Sequence, residues 1–463
     1  MATQPADELL TPAQLRENLG ISQPTYFRWL REGKLKGVLV GGRRRFSAND
    51  IQQLQQDPDQ AGQLRAALTQ AAEICAERLA KAGFKKKEID AMRQSAKKTE
   101  ADGIVTMLLA HALRKGASDL HIEPVADGLA VRERIHGILR RADKPLPVAS
   151  QQAVIQSVKK MAGLQVTETR TQDARFFADH EGRKIDVYCT TYNTALGESI
   201  CLRLLDPTRV TLAFSAAGFS GPVAEAVKAA VIKPGRGVFI VNGPTGCGKT
   251  TTIYSLLSEM NKPGLKIMTV EDPVEFRIDG ILQQPLHEPF DFTGAMKAML
   301  RSSLDIGFVG EMRNEQSLRL LFQMANTGHK MFTTMHAQDA VTALSRVLEF
   351  GKLEPQLVAD CTLGILNQRL IPKSCAKCRS MEPLSAAEAG QLGVRADFKV
   401  ARNAGCDECD GTGVLGRTPV GELLTMTPAL RKAILAGATS AEDLRAALPV
   451  DHRGLRADVL ERL

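Results

Sequence analysis

A short glycine-rich segment in the middle of the chain constrains the fold more than any other feature. Residues 243–250 read Gly-x-x-x-x-Gly-Lys-Thr and directly follow an apolar run at residues 238–241. This order predicts a buried strand, a loop whose backbone N–H groups surround phosphate, and a helix whose N-terminal dipole favours the same anion. We expect Lys249 to contact the β- and γ-phosphates and Thr250 to bind Mg²⁺, as in a nucleoside triphosphatase. The residues expected to bind the nucleotide here are Gly243, Pro244, Thr245, Gly246, Cys247, Gly248, Lys249, Thr250 and Thr251.

Length and composition describe a globular chain of several domains. The 463 residues suggest roughly three domains of about 150 residues each. Hydrophobic residues make up 44% and charged residues 24%, which are ordinary globular values. No apolar run approaches the ~20 residues that a membrane-spanning helix needs, and the N-terminal residues lack the core of a signal peptide. We therefore expect a soluble, intracellular protein.

The chain is basic, with a formal net charge of +8. Part of the excess lies at residues 81–98, where lysines cluster. Such a surface suits nucleic acid or anionic lipid headgroups, and it equally suits a solvated helix face. Charge alone therefore does not select a partner.

Residues 1–54 have the pattern of a small winged helix-turn-helix domain. One helix should begin at Thr11 and a second at Ser22, because each of these capping residues precedes an apolar helical pattern. A short strand pair should then form a wing, and a third helix follows from Ser47. The unit resembles the excisionase and MerR-type DNA-binding fold, which implies that helix 23–31 enters the major groove of DNA.

Two classes of partner remain open for this helix-turn-helix. The resemblance implies that the wing contacts DNA phosphates, whereas the same small fold also serves as a protein-docking module. Arginine side chains suit both roles. The arginines concerned are Arg28, Arg31, Arg43, Arg44 and Arg45.

Three further segments follow the helix-turn-helix. Residues 55–98 predict a helical linker, which starts with a proline-containing stretch at 55–62. Residues 99–209 mix strand and helix patterns. Residues 210–463 hold the phosphate loop, an insertion at 375–409 and C-terminal helices. Within residues 99–209, strands are expected at 129–135, 184–190 and 199–205, and a helix at 155–161.

Apolar strands after the phosphate loop end in residues that suit phosphate chemistry. The first ends at Glu271, the second at Glu311 and the third at His336. In an open α/β sheet, such strand ends line the ligand crevice. We favour Glu311 for the Mg²⁺ shell and Glu271 for positioning the attacking water, with the reverse assignment open. His336 is expected to contact the γ-phosphate, with a packed core histidine as the alternative, and Arg313 is included among the nucleotide-binding residues.

Residues from about 100 to 425 resemble the secretion-ATPase family, the motors of type II secretion and type IV pilus assembly. The resemblance rests on motifs that occur in the family's order. After the phosphate loop these are TVEDPVEF (269–276), IGFVGEMR (306–313), TGH (327–329) and TTMHAQDA (333–340). Before it they are ASDLHIEP (117–124), an Arg-x-Arg motif (132–137), QDAR (172–175) and Gly197-Glu198.

The resemblance implies a homo-hexameric ring in which each subunit joins a PAS-like α/β domain to a RecA-like P-loop ATPase domain. ATP would bind mainly to the RecA-like domain, and arginines of the PAS-like domain would close over it. By that analogy Arg175 faces phosphate, with an inter-domain salt bridge as its alternative role. The family also implies an inner-membrane platform protein as partner and a peripheral location at the cytoplasmic face of that membrane.

We therefore predict an ATPase motor for assembly of a type IV pilus or a type II secretion pseudopilus. One alternative is a DNA-binding regulator that uses the ATPase ring as an oligomerisation switch. Another is a conjugative or DNA-uptake pilus motor.

Two Cys-x-x-Cys pairs predict a zinc site. In a reducing compartment, paired cysteines of this kind indicate a metal rather than disulfides. Four thiolates close a tetrahedral Zn²⁺ shell without an open position, so the role should be structural. The separation, residues 379–405, exceeds the roughly 15–20 residues of the commonest ribbons, but assembly-type members of the family carry such an insertion. The predicted ligands are Cys375, Cys378, Cys406 and Cys409.

The sequence departs from the family pattern around its arginines. His136 stands at an acidic position of the Arg-x-Arg motif, and Tyr188 stands where a further arginine is expected. Lys297 replaces another arginine, and lysine lacks the bidentate fork of the guanidinium group. None of these changes affects Lys249 or the acidic candidates. We expect intact ATPase chemistry with an altered arginine clamp.

Overall fold

The computed structural model divides the chain into two compact units, Met1–Asp206 and Pro207–Leu463. It describes residues 10–19, 23–31, 35, 37–40, 43–46, 58–95, 100–206, 213–232, 235–286, 291–312, 314–395 and 397–462. None of the helices within these ranges combines the length and apolar character that crossing a bilayer requires.

The N-terminal residues form two helices and a two-stranded wing, as predicted. These are α1 (Pro12–Leu19), α2 (Gln23–Arg31), β1 (Val38–Val40) and the antiparallel β2 (Arg43–Arg45). Leu15, Tyr26, Leu35 and Phe46 are buried together in a small core. The second strand of the wing consists of three consecutive arginines, Arg43–Arg45. The predicted third helix from Ser47 lies outside the described residues.

The segment predicted as a helical linker is packed into the core of the first unit. Its helices are α3 (Pro58–Lys81) and α4 (Lys86–Ser95), followed by α5 (Glu100–Arg114). The stretch predicted as linker is therefore helical from Pro58, a residue that the first helical turn tolerates. Leu68, Cys75 and Leu79 of α3 join the same apolar cluster as the sheet that follows.

That sheet has six antiparallel strands in the order β5-β4-β3-β8-β7-β6. Strands β7 and β8 pair over nearly their full length. Alternate residues of β7, such as Ile185 and Val187, are buried in the cluster, whereas Asp186 and Tyr188 point to the opposite face. The elements are β3 (Ala117–Val125), β4 (Gly128–Ile135), β5 (Ile138–Arg141), a 3₁₀ turn (Val148–Ser150), α6 (Gln151–Met161), β6 (Asp173–His180), β7 (Arg183–Thr194) and β8 (Gly197–Leu205).

The second unit is built on a seven-stranded sheet in the order β11-β10-β12-β13-β9-β14-β17. All neighbours are parallel except β14 and β17. Every residue of the central strands β9 and β13 is buried, which is typical of parallel strands covered on both faces. Alternate residues of β9 enter separate apolar clusters on the two faces, so helices cover both sides.

The strands of this sheet are β9 (Gly237–Asn242), β10 (Ile267–Glu271), β11 (Leu282–Pro285), β12 (Ile306–Glu311), β13 (Lys330–Met335), β14 (Thr362–Ser374) and β17 (Val414–Leu424). A 3₁₀ turn (Phe214–Ala216) and α7 (Gly221–Val231) precede it. The helices between its strands are α8 (Lys249–Met260), α9 (Phe292–Leu300), α10 (Glu315–Asn326), α11 (Ala340–Gly351) and α12 (Pro355–Cys361).

A small insertion with its own core separates β14 from β17. Strands β15 (Arg379–Pro383) and β16 (Lys399–Asn403) pair as an antiparallel ribbon beside α13 (Ala386–Leu392), and a 3₁₀ turn (Asp407–Cys409) follows. Leu384, Ala389 and Val400 are buried within it. The chain then closes with α14 (Pro428–Leu435), α15 (Ala441–Ala446) and α16 (Leu455–Arg462).

Candidate nucleotide-binding site

The phosphate loop lies between β9 and α8, as the motif predicts. Gly248 has φ of 86°, a left-handed conformation that glycine adopts without strain. A Cβ atom on Gly243 would lie 2.5 Å from the Gln368 carbonyl oxygen, so the close approach of the two chains also requires glycine. Pro244, Thr245 and Gly246 form the exposed top of the loop.

Side chains from β14 and β17 donate hydrogen bonds to carbonyl groups of the phosphate loop. Gln368 donates to the Cys247 carbonyl at 2.6 Å and accepts a 2.9 Å hydrogen bond from Thr252 in the first turn of α8. Arg417 donates to the Gly246 carbonyl at 3.1 Å. The loop conformation is therefore fixed by residues far along the chain as well as by its own glycines.

Lys249 places its ammonium group inside the loop. Its Nζ donates to the carbonyls of Gly243 and Pro244 at 2.9 and 3.1 Å. Burial lowers the pKa of this lysine, and the nearby carboxylates of Glu311 and Glu275 oppose that shift. A nucleotide phosphate would supply the additional negative charge that this partly desolvated cation favours.

Glu311 and His336 meet at the carboxyl edge of the sheet. Glu311 is the last residue of β12, His336 directly follows the neighbouring strand β13, and His336 Nε2 lies 3.5 Å from Glu311 Oε1. Burial lowers the pKa of His336, and the nearby Lys249 ammonium lowers it further, whereas Glu311 and the Gly243 backbone oppose the shift. The three predicted residues Lys249, Glu311 and His336 are thus brought together beside the phosphate loop. Thr250, in the first turn of α8, and Glu311 offer the oxygen ligands that Mg²⁺ prefers.

Glu271 lies at the end of β10 but is enclosed by protein. It is only 2% exposed and accepts hydrogen bonds from Tyr254 and Thr269, with Gln283 Nε2 at 3.3 Å. Burial raises the pKa of Glu271, and these hydrogen bonds oppose the shift.

Glu275 is a further candidate residue of the nucleotide-binding site, to which the sequence analysis assigned no role. It is half-buried, and its charge acts on both Lys249 and Glu271. Membership of the TVEDPVEF motif is the signal for Glu275 in the sequence, whereas position at a strand end favours Glu271.

Arg175 lies in the first unit, on strand β6. Its Nε donates to both carboxylate oxygens of Asp186 at 2.7 Å, and its guanidinium lies 5.3 Å from the centre of the Tyr188 ring. Asp186 is the main cause that raises the pKa of Arg175. The departure from the family at Tyr188 therefore places an aromatic ring beside this arginine. Arg313 lies outside the described residues.

The four predicted zinc ligands come together at the base of the insertion. All four Sγ atoms lie within 4.8 Å of one another. The pairs Cys375–Cys406 and Cys378–Cys409 are both 3.8 Å apart, which matches the sulfur spacing of about 3.8 Å in a tetrahedral zinc–thiolate shell. Backbone N–H groups of Cys406 and Gly413 donate to Cys409 Sγ at 3.2 and 3.1 Å. The donor set and its geometry fit Zn²⁺.

Residues 94–462 match the model of a family described as Type II/IV secretion system protein. The chain belongs to this family. Residues 9–57 match the model of a helix-turn-helix domain, in agreement with the predicted N-terminal module. The fold class predicted from the sequence is confirmed.

Relatives within the secretion family support the assignment. Type II secretion system protein E of Klebsiella pneumoniae is 35% identical over 337 residues, which cover 72% of this chain and 67% of that protein. The protein of the same description from Dickeya dadantii is 36% identical over 337 residues, with the same two coverages. The X-ray structure of the Yersinia pseudotuberculosis ATPase DotB has a TM-score of 0.57 at 21% identity and covers 78% of this chain and 90% of that one. At that identity, the likeness concerns the fold alone.

Family membership and the phosphate loop in its strand–loop–helix setting make this secretion protein an ATPase.

Proposed function

We propose that the protein is a hexameric motor that couples ATP hydrolysis to assembly of a type II secretion pseudopilus or a type IV pilus. The observation that carries the proposal is the convergence of Lys249, Glu311 and His336 on the phosphate loop. The platform protein of the inner membrane would be its partner, and its place would be the cytoplasmic face of that membrane. Similarity to type II secretion system protein E favours the pseudopilus.

Each residue has a proposed role in the reaction. Lys249 would bind the β- and γ-phosphates, and the loop N–H groups would orient them. Thr250 and Glu311 would hold Mg²⁺, which neutralises phosphate charge when bound. His336 would contact the γ-phosphate, and Arg175 would add positive charge from the PAS-like domain. Glu271 is our sequence-based candidate for positioning water, and Glu275 is a second candidate because its charge acts on Lys249.

The cysteine cluster has a structural role in this proposal. Four thiolates would saturate a Zn²⁺ ion and hold the insertion between β14 and β17. Both strands also carry residues that contact the phosphate loop. The metal would therefore stabilise the scaffold behind the loop without taking part in hydrolysis.

Steady-state ATPase assays on the full chain test the proposal. The wild type should hydrolyse ATP in a Mg²⁺-dependent manner and run as a hexamer in light scattering. Lys249→Ala and Glu311→Gln should lose turnover while keeping the wild-type circular dichroism spectrum. A wild-type hexamer without Mg²⁺-dependent turnover would refute the proposal.

A second candidate function is DNA binding by the helix-turn-helix. The exposed side chains of Arg31 and Arg44 on helix α2 and the wing favour it. Fluorescence anisotropy with duplex DNA should then give binding that weakens steeply with salt and is lost in Arg44→Ala/Arg45→Ala. Absence of binding at low salt would leave the protein-docking role for this module.

A further inference from the structure

The turn that carries His336 is held by side chains at consecutive carbonyl groups. Arg346 donates to the His336 carbonyl at 2.9 Å, and Arg369 donates to the Gln338 carbonyl at 2.7 Å. Between them, the Ala337 carbonyl lies 3.2 Å from Asn242 Nδ2. Three consecutive carbonyl groups of this turn therefore have side-chain N–H groups as hydrogen-bond partners, which fix the position of the turn.

Asn242 connects this turn to the phosphate loop. It is the last residue of β9, directly before the loop, and its side chain is fully buried. Its Oδ1 accepts the Ala337 N–H at 2.7 Å, while its Nδ2 also lies 3.2 Å from the Asp339 carbonyl. The Asn242 side chain therefore contacts the N–H and the carbonyl of Ala337 and the carbonyl of Asp339. Its own backbone continues directly into the phosphate loop.

A buried polar chain orients that amide. Asn242 Nδ2 lies 3.0 Å from Asn367 Oδ1, and Asn367 Nδ2 donates to Glu422 at 3.3 Å. The other Glu422 oxygen lies 3.1 Å from His452 Nε2, near the C-terminal helix. Asn367 is 1% exposed and Glu422 is 8% exposed. In such surroundings a missing partner is costly, so each member fixes the orientation of the next.

We propose that Asn242 is a positioning residue of the ATPase site, which sets His336 relative to the phosphate loop, and that Asn367 and Glu422 keep its amide in register. The inference rests on the proposed role of His336. It adds a route by which residues of the C-terminal segment act on the nucleotide site, because His452 completes the chain at its far end. A purely structural Asn242 would affect stability without acting through His336.

A double-mutant cycle on the full chain tests the proposal. Asn242→Ala should lower kcat by about tenfold, since small displacements of a catalytic group have large effects on rate, with KM for ATP changed by less than about twofold. In a His336→Ala background the same change should lower kcat by less than about twofold further, because the positioned group is gone. Asn261→Ala is the matched control, since that side chain also donates to a backbone carbonyl, of Asp279 at 2.7 Å, away from the turn.

Glu422 variants give an independent route if Asn242→Ala fails to fold. Glu422→Gln retains an acceptor for Asn367 and should keep kcat within about twofold of the wild type, whereas Glu422→Ala should lower kcat with little change in KM. The inference would be overturned if Asn242→Ala lowered kcat by the same factor in the wild type and in the His336→Ala background. A Glu422→Ala variant with the kcat of the wild type would also overturn it. A His336→Ala variant with the kcat of the wild type would instead refute the proposed role of His336, and the positioning inference with it.

Discussion

Gln368 on strand β14 donates a 2.6 Å hydrogen bond to the carbonyl of Cys247 in the phosphate loop. The two residues are 121 positions apart in the chain, and Gln368 also accepts a hydrogen bond from Thr252 at the start of α8. The Gln368 amide thus links the phosphate loop to the first turn of α8. The sheet therefore supports the phosphate loop through a strand that carries no recognised motif.

Gln368→Ala should weaken nucleotide binding more than it slows chemistry. The Cys247 carbonyl would lose its buried donor, which costs about 1–3 kcal/mol, so part of the binding free energy would be spent on ordering the loop. We expect KM for ATP to rise by about tenfold with kcat reduced less than threefold, measured by steady-state hydrolysis. Gln283→Ala is the control, because Gln283 lies in the same sheet but its side chain contacts Glu271 rather than the phosphate loop. An unchanged KM for Gln368→Ala would mean that the loop holds its shape without this contact.

Glu275→Gln should reduce turnover more than Glu271→Gln does. The Glu275 charge acts on Lys249, whereas the Glu271 carboxylate is enclosed by Tyr254, Thr269 and Gln283. General-base or water-positioning groups typically contribute 10²–10⁴-fold, so we expect kcat of Glu275→Gln to fall by about 10²-fold or more. Single-turnover hydrolysis with saturating ATP measures the chemical step directly. Glu271→Gln with the larger loss would assign the water-positioning role to Glu271, as the strand-end pattern suggested.

Glu271→Gln should change the pH dependence of stability. Burial raises the pKa of Glu271, so the folded state prefers the neutral acid more than the unfolded chain does. Neutral Glu271 therefore stabilises the folded state at pH values below its unfolded pKa of about 4.5. This stabilisation is lost as the pH rises through the higher pKa that Glu271 has in the folded state. A permanently neutral glutamine escapes that loss, so the Tm difference, variant minus wild type, should increase with pH above about 4.5.

Differential scanning fluorimetry from pH 4.5 to 8.5 checks this expectation. Glu259→Gln, at an exposed position on α8, is the control and should give a Tm difference that stays flat. A Tm difference that decreases with pH for Glu271→Gln would show that the hydrogen bonds from Tyr254 and Thr269 outweigh burial.

The parts of the site that follow strand ends were predictable from the sequence, because parallel strands place their carboxyl ends at one edge. Glu311 and His336 meet there as expected. Strand order and register, by contrast, decide which side chains of β14 and β17 reach the loop. Gln368 reaches the phosphate loop, and Glu422 reaches Asn367, only because β14 pairs with β9 on one side and with β17 on the other. The amino-acid pattern does not specify that pairing or its register.

The helical segment after the helix-turn-helix illustrates a second limit of pattern reasoning. Its composition and the proline-containing stretch at 55–62 suggested a linker, yet α3 begins at Pro58 and buries Leu68 and Leu79 in the core of the six-stranded sheet. Helical periodicity identifies an apolar stripe, but not the surface that the stripe covers. The surface that the apolar stripe of α3 covers is defined only when the strands of the six-stranded sheet have paired.

Cys378→Ser should remove the metal from the insertion without dismantling the ATPase sheet. The purified wild type should contain about one zinc per chain by inductively coupled plasma mass spectrometry, and the variant much less, since three thiolates bind Zn²⁺ more weakly than four. The small core of Leu384, Ala389 and Val400 is separate from the two clusters of the ATPase sheet, so limited proteolysis should accelerate within residues 376–412 first. Cys201→Ser, at a half-buried thiol of the first unit, should keep the zinc and resist cleavage as the wild type does. A wild type purified without chelator that contains no zinc would contradict the metal assignment.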